Sequence, residues 1–186
     1  MESISDNALM LKVKSGDLSK LGLLFERHNK AVFGFFYRNT SNREISEDLV
    51  QMLFERILKY RTNFRGDGKF VVWMYSIARN ILIDHYKQSK KQGFMIELEE
   101  AETVDFVDYD TNQEAIDEKH QLLSKAMTKL ESDKRELLTL SRYQGLKYKE
   151  IAEIMQTTEG AIRIKIFRAL NDLRMHYLKL EKIEAQ

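Results

Sequence analysis

The 186-residue chain contains no cysteine and no proline. Without a thiol it can build neither a disulfide framework nor a thiolate metal site. Without proline no residue removes a backbone donor or blocks the preceding turn, and the abundance of Leu, Lys, Glu, Ile and Ala then favours long uninterrupted helices. Apolar runs are short: none approaches the roughly 20 residues that span a bilayer. The opening MESISDNALMLKVKSGD lacks the basic-then-apolar plan of a secretion signal. These absences point to a soluble protein of the cytoplasm. His28, His85, His120 and His176 are scattered without ligand spacing and no Gly-rich phosphate loop occurs. Neither a metal, a cofactor nor a catalytic residue is expected, and the chain does not read as an enzyme.

What is present suffices for real cores: 43% of the residues are hydrophobic and 10% aromatic, enough for one ordinary domain or two small ones. The net charge of +1 hides a division along the chain. Residues 1–96 carry 16 Lys/Arg against 10 Asp/Glu, residues 97–118 carry ten acids and no base, and residues 119–186 carry 14 against 9. The acidic stretch ELEEAETVDFVDYDTNQEAIDE has no sustained helical period in its middle, and Gly93 ahead of it offers a helix stop. It reads as a linker over 93–113 between domains over 1–92 and 114–186. A solvated spacer kept extended by repulsion and a binding segment both fit its composition.

The fold class expected is all-α, with an N-terminal helical bundle and a C-terminal four-helix domain. The first domain's helices are read near Asp6–Ser15, Leu18–Arg38, Ser46–Tyr60 and Gly68–Lys90, with Ser46, Glu47 and Asp48 forming the third helix start. The second domain's are read near Glu114–Leu130, Ser132–Tyr143, Tyr148–Met155 and Thr158–Leu180.

YKEIAEIM, a short break at QTT and then EGAIRIKIFRALNDLR follow the plan of a helix-turn-helix, with Thr158 capping the second helix. At about 100° per residue, Ile162, Ile166, Ala169, Leu170 and Leu173 share the core face. Gly160, Arg163, Ile164, Phe167, Arg168 and Asn171 fall opposite. Guanidinium groups that fork onto guanine or phosphate, beside apolar groups suited to thymine methyls, are what major-groove recognition asks for. An amphipathic helix packed on another subunit is the competing reading of that face.

NFRGDGKFVVWMYSIARNILIDHYKQSKK opens with a Gly-containing turn and continues as a helix. Phe70, Met74, Ile77 and Ile81 form its buried stripe, and Lys69, Trp73, Ser76, Asn80 and Lys87 line an adjoining strip. Interleaved aromatic, amide and ammonium groups can stack a base, bond its edge and neutralise its phosphate, as unpaired strands require. A lone Trp at helical spacing is also commonly a core residue.

DLVQMLF, FRGDGKFVVWMYSIARNILID, LESDKR, EIAEIM and GAIRIKIFRA occur in this order. Together they resemble the extracytoplasmic-function (group 4) sigma factors of bacterial RNA polymerase, within the sigma-70 family. The resemblance implies two helical domains, one binding core polymerase and melting the upstream edge of the bubble, the other reading duplex DNA further upstream. It implies that Asp48, Leu49, Gln51 and Phe54 dock on the clamp helices of the β′ subunit. Phe64, Lys69, Phe70, Trp73, Asn80 and Lys87 would hold the non-template strand of the -10 element. Thr158, Gly160, Arg163, Ile164, Phe167 and Arg168 would meet the -35 element. An anti-sigma factor, often membrane-anchored, is the further partner implied, and no small-molecule substrate is.

Three positions depart from the family pattern. Ile164 stands where Ser is frequent, replacing a hydrogen bond by an apolar contact. Gln156 occupies a turn position where Gly is usual for a left-handed backbone, at a cost of about 1 kcal/mol. Glu131 replaces a common Pro at a helix start. Two rival readings are a stand-alone helix-turn-helix regulator and a protein-binding helical adaptor. A response-regulator type would need an α/β receiver ahead of the helix-turn-helix, and residues 1–96 show no alternating strand pattern. The adaptor leaves the basic strip and the arginines unexplained.

Overall fold

The computed structural model describes residues 4–91 and 113–184. Among the described residues eight α-helices run in chain order: α1 Asp6–Lys14, α2 Ser19–Thr40, α3 Arg43–Lys59, α4 Phe70–Lys91, α5 Gln113–Thr128, α6 Ser132–Leu138, α7 Tyr148–Ile154 and α8 Glu159–Glu184. No strand occurs among the described residues, and the all-α class is as expected. The acidic linker read over 93–113 lies outside the described residues except for Gln113, which opens α5.

Several helix starts are capped by their own neighbours in sequence. Ser5 caps α1 by accepting from the Ala8 N–H at 3.3 Å, and Thr158 caps α8 by accepting from Ala161 at 3.2 Å. The third helix departs from expectation. Asn42, not Ser46, is its cap, accepting from the Ile45 N–H at 2.9 Å, so the helix begins three residues earlier. Ser46 is fully buried instead, with its hydroxyl on the Asn42 carbonyl at 2.6 Å and 2.9 Å from the Thr40 hydroxyl. The corner depends on Ser41, which turns the chain at φ 54, a left-handed conformation unusual for a residue with a Cβ.

The sixth helix also differs. Instead of one helix to Tyr143, α6 stops at Leu138 and continues as a π-helical segment, Thr139–Tyr143. The wider coil ends at Gly145, φ 64, and carries Tyr143 and Gln144 toward the N-terminal helices.

α1–α4 and α5–α8 share a continuous apolar core, with Phe35, Phe36, Leu53, Met74 and Ile81 on one side and Leu138, Ile151, Ile162 and Ile166 on the other. Polar groups cross between the two halves. Buried Arg135 donates to the Asn39 carbonyl at 3.1 Å and to the Leu130 carbonyl at 2.9 Å. Tyr75 Oη donates to Gln144 Oε1 at 2.6 Å, and Gln144 Nε2 donates to the Ala31 carbonyl at 3.1 Å. The Arg38 guanidinium lies 3.9 Å from the centre of the Tyr143 ring. Arg79 Nε stands 3.2 Å from Glu136 Oε1, where neither atom finds an aligned hydrogen bond.

Candidate nucleic-acid interface

The helix-turn-helix is built as its sequence implies. α7 buries Ile151, Ala152 and Ile154, and the turn reverses at Gln156 with φ 53, the left-handed conformation expected there. α8 then buries Ile162, Ile166 and Ala169 to 1% exposure or less and turns its other side outward. Ile164 is 55% and Phe167 65% exposed, two large apolar side chains that the core of the described residues leaves at the surface. Gly160, Arg163 and Arg168 are exposed beside them. Among the described residues Arg163 pairs with Glu159, one turn back at 3.3 Å, a contact open to solvent and easily exchanged for phosphate or a base edge. The six residues read from the sequence therefore lie together, with Thr158 at the helix start.

The second group divides by depth. Trp73 is half-buried and rests on Phe64 and Phe70, with ring centroids 5.3 and 6.3 Å away. Phe64 and Phe70 are 3% and 1% exposed, so they have no face to offer a base in this arrangement and act as the floor beneath the indole. Lys69, Asn80 and Lys87 are exposed. From Phe70 to Lys87, α4 advances about 25 Å.

On α3, Asp48 and Gln51 are exposed, while Leu49 and Phe54 are 4% and 8% exposed and anchor the helix. Gln51 donates to Glu55 at 2.9 Å, a surface contact that leaves its face available. Phe54 meets Phe25 of α2 edge-on at 4.9 Å, and both line an apolar groove with Leu21, Phe33 and Val50 beside Gln51.

Glu150 belongs to this surface although sequence reading passed over it. Its carboxylate accepts from the Lys147 N–H at 2.8 Å, closing the first turn of α7, and its other oxygen lies 2.6 Å from Lys69 Nζ. Burial works against its charge, but the Lys69 ammonium and the Lys147 N–H outweigh it and hold the carboxyl below its usual range. The capping pattern was visible locally; the partner 81 residues away was not. Asn7 and Lys14 of α1 were missed for the same reason. Lys14 Nζ reaches the Phe64 carbonyl at 2.7 Å, and Asn7 bonds both the Gly68 carbonyl and the Phe70 N–H at 2.7 Å.

Among the described residues no group of acidic, histidine or cysteine side chains could hold a metal ion, and no helix is long and apolar enough to cross a membrane.

Comparison with known proteins covers both halves. The family model described as Sigma-70 region 2 matches residues 24–92, and the one described as Sigma-70, region 4 matches residues 120–173. The chain is 31% identical over 178 residues to the ECF RNA polymerase sigma-E factor of Haemophilus influenzae, covering 90% of this chain and 93% of that protein. It is 29% identical over 172 residues to the RNA polymerase sigma-H factor of Pseudomonas aeruginosa, covering 88% and 89%. Among solved structures, CnrH in complex with the cytosolic domain of CnrY shares the fold, with a TM-score of 0.69 at 20% identity over 91% of this chain and 95% of that one. The sigma factor RpoE bound to the anti-sigma factor NepR from Bartonella quintana has a TM-score of 0.64 at 25% identity, covering 85% and 96%.

Proposed function

Because the chain belongs to the extracytoplasmic-function sigma factors of the sigma-70 family, we propose how its own residues direct RNA polymerase to promoters. The partners are core polymerase, promoter DNA and an anti-sigma factor; the place of action is the cytoplasm, where polymerase and DNA meet. The chemistry of RNA synthesis belongs to the polymerase, and no catalytic step falls to this chain.

The division of labour proposed is a polymerase-binding and melting domain over 1–92, a linker over 93–113 and an upstream-reading domain over 114–186. Asp48 and Gln51 offer polar groups to the β′ clamp helices from a helix stiffened by Leu49 and Phe54. The indole of Trp73, floored by Phe64 and Phe70, stacks or wedges at the -10 element, Asn80 bonds a base edge, and Lys69 and Lys87 neutralise phosphates. Unstacking costs a few kcal/mol per step and each captured base returns about 1–3 kcal/mol, so melting requires the polymerase to hold the remaining strands. Arg163, Ile164, Phe167 and Arg168 enter the major groove at the -35 element.

The observation that carries this reading is the pair of exposed apolar residues, Ile164 and Phe167, between two arginines on the helix-turn-helix's second helix. A stand-alone regulator would need only that half, whereas the relatives match over both.

The two DNA-facing surfaces cannot act from the packing described. Elements 25 base pairs apart are separated by about 85 Å along B-form DNA, whereas Lys69 and Glu150 join the two halves at 2.6 Å. Loading onto polymerase must therefore part α4 from α7. Transcription in vitro with purified core polymerase, with mapping of start sites, tests the proposal. Start sites that depend on the protein are expected, and their absence with any promoter set would remove it.

A further inference from the structure

We propose that Asn7 and Lys14 of α1 are positioning residues for strand capture: they hold the loop from Phe64 to Phe70 in the shape that presents Lys69 to the unpaired strand, without touching DNA. The inference rests on the assignment of Lys69 to the -10 element. It concerns a helix that lies ahead of both family-matched segments, which begin at residues 24 and 120.

The loop Arg65-Gly66-Asp67-Gly68-Lys69 holds two glycines in five residues, and residues 65–68 make no backbone–backbone hydrogen bond to any described residue. Left to itself it would sample many conformations, at about 1–2 kcal/mol of backbone entropy per residue to be fixed. α1 supplies the missing constraints from one face. Asn7, Leu11 and Lys14 follow the i, i+4, i+7 spacing that aligns side chains on a helix. Lys14 Nζ donates to the Phe64 carbonyl at 2.7 Å, fixing where the loop begins. Leu11 packs under Gly66, whose φ of 84 suits glycine and where a Cβ would come within 3.2 Å of the leucine methyl.

Asn7 fixes the other end with both atoms of one amide. Nδ2 donates to the Gly68 carbonyl and Oδ1 accepts from the Phe70 N–H, each at 2.7 Å. The second bond satisfies one of the open donors at the start of α4, a helix cap delivered from 63 residues away. Lys69 is thereby held between two pinned peptide groups. α1 is in turn anchored: Leu9, Met10 and Val13 are fully buried, and Asp6 is held by Arg27 at 2.7 Å and His28 at 2.8 Å from α2. The clamp thus transmits the rigidity of the core to a glycine-rich loop.

The test uses the full-length protein loaded on core polymerase, with Asn7→Leu and Lys14→Met, which keep side-chain bulk but lose the polar contacts, and Lys14→Arg, which keeps a donor. Lys69→Ala serves as the gauge of the underlying assignment. Binding is measured to a fork-junction DNA carrying the -10 non-template strand, with each base exchanged in turn, alongside competition for core polymerase. Asn7→Leu and Lys14→Met should each lower fork-junction affinity up to about tenfold, the loss of one or two hydrogen bonds' ordering. The loss should be alike for every base exchange, as for a phosphate contact, with core affinity unchanged, and Lys14→Arg should restore the affinity. If Lys69→Ala weakens binding while the α1 variants match the parent in affinity, the clamp is overturned and the assignment stands. Equal losses in core binding and fork-junction binding would reduce α1 to a structural role and overturn the inference too. If Lys69→Ala has no effect, the assignment fails and takes the inference with it.

Discussion

Lys69 and Glu150, 81 residues apart, meet at 2.6 Å, so the ammonium proposed for the -10 strand is engaged by the first helix of the helix-turn-helix. On the proposed role the cation has two anionic suitors, the Glu150 carboxylate and a phosphate of the promoter, and their competition would tie DNA capture to separation of the two halves. Lys69 is largely exposed, so the pair contributes at most about 1 kcal/mol. Glu150→Gln should therefore raise the free protein's affinity for fork-junction DNA modestly, by roughly two- to fivefold. The gain should shrink as salt is raised from low to physiological ionic strength. An affinity equal to the parent's at low salt would show that the contact does not restrain the lysine.

A pH dependence follows from Glu136. Burial between the halves pushes its carboxyl up, with Asp133 adding and Arg79 opposing, to about 7. When the halves part, the carboxyl returns toward the ordinary value of 4.5. The closed form binds the proton more tightly, so this group's contribution to closure is fully present below about 4.5 and is lost as pH rises through about 7. Fluorescence energy transfer between labels on α4 and α7 should report opening as pH climbs across that window. Glu136→Gln should stay closed throughout, and an identical pH profile for the variant would place the titration elsewhere.

Arg163→Ala and Arg168→Ala should each cost about 1–3 kcal/mol of promoter binding where the arginine meets a base. An arginine that only grips phosphate should weaken all sequences alike and lower the salt slope by about one. Phe167→Ala should leave thermal stability within about 0.5 kcal/mol, because the ring is 65% exposed, yet reduce -35 affinity. Retained affinity in all three variants would return α8 to a subunit-packing role.

Replacing Asp48 and Gln51 together by alanine should leave helicity intact, since both side chains are exposed and Leu49, Leu53 and Ile57 still anchor α3. Core polymerase binding should fall by about thirtyfold, the roughly 2 kcal/mol of an interface hot spot. Unchanged competition against the parent protein for core would remove the docking assignment.

Local pattern carried much of this far. The two faces of α8, the left-handed turn at Gln156 and the cap at Thr158 all depend on residues within a few positions of one another, and a helical period displays them directly. The start of α3, read at Ser46, was harder because SNREISED holds several residues with capping side chains. The choice fell to Asn42 once Ser41 had turned the chain and Thr40 had drawn Ser46 inward.

Depth and long-range partners escaped the sequence. The helical wheel put Phe70 in the buried stripe and Trp73 on the strip beside it, as the structure has them, but could not place Phe64, which lies outside α4 and is buried against both rings. Local spacing does not set the depth of Arg135 and Glu136. They are 3% and 5% exposed because Asn39 and Arg79 arrive from helices nearly 60 or more residues away. The sequence by itself determined the all-helical class, the paired faces of its DNA-reading helix and the residues that mark its family, because each is written in short-range periodicity. Only the tertiary structure decided that Lys69 faces Glu150, that Asn7 caps a helix 63 residues on and that Glu136 titrates near neutrality. Those relations depend on which surfaces exclude water together when distant helices pack, and no local spacing encodes that.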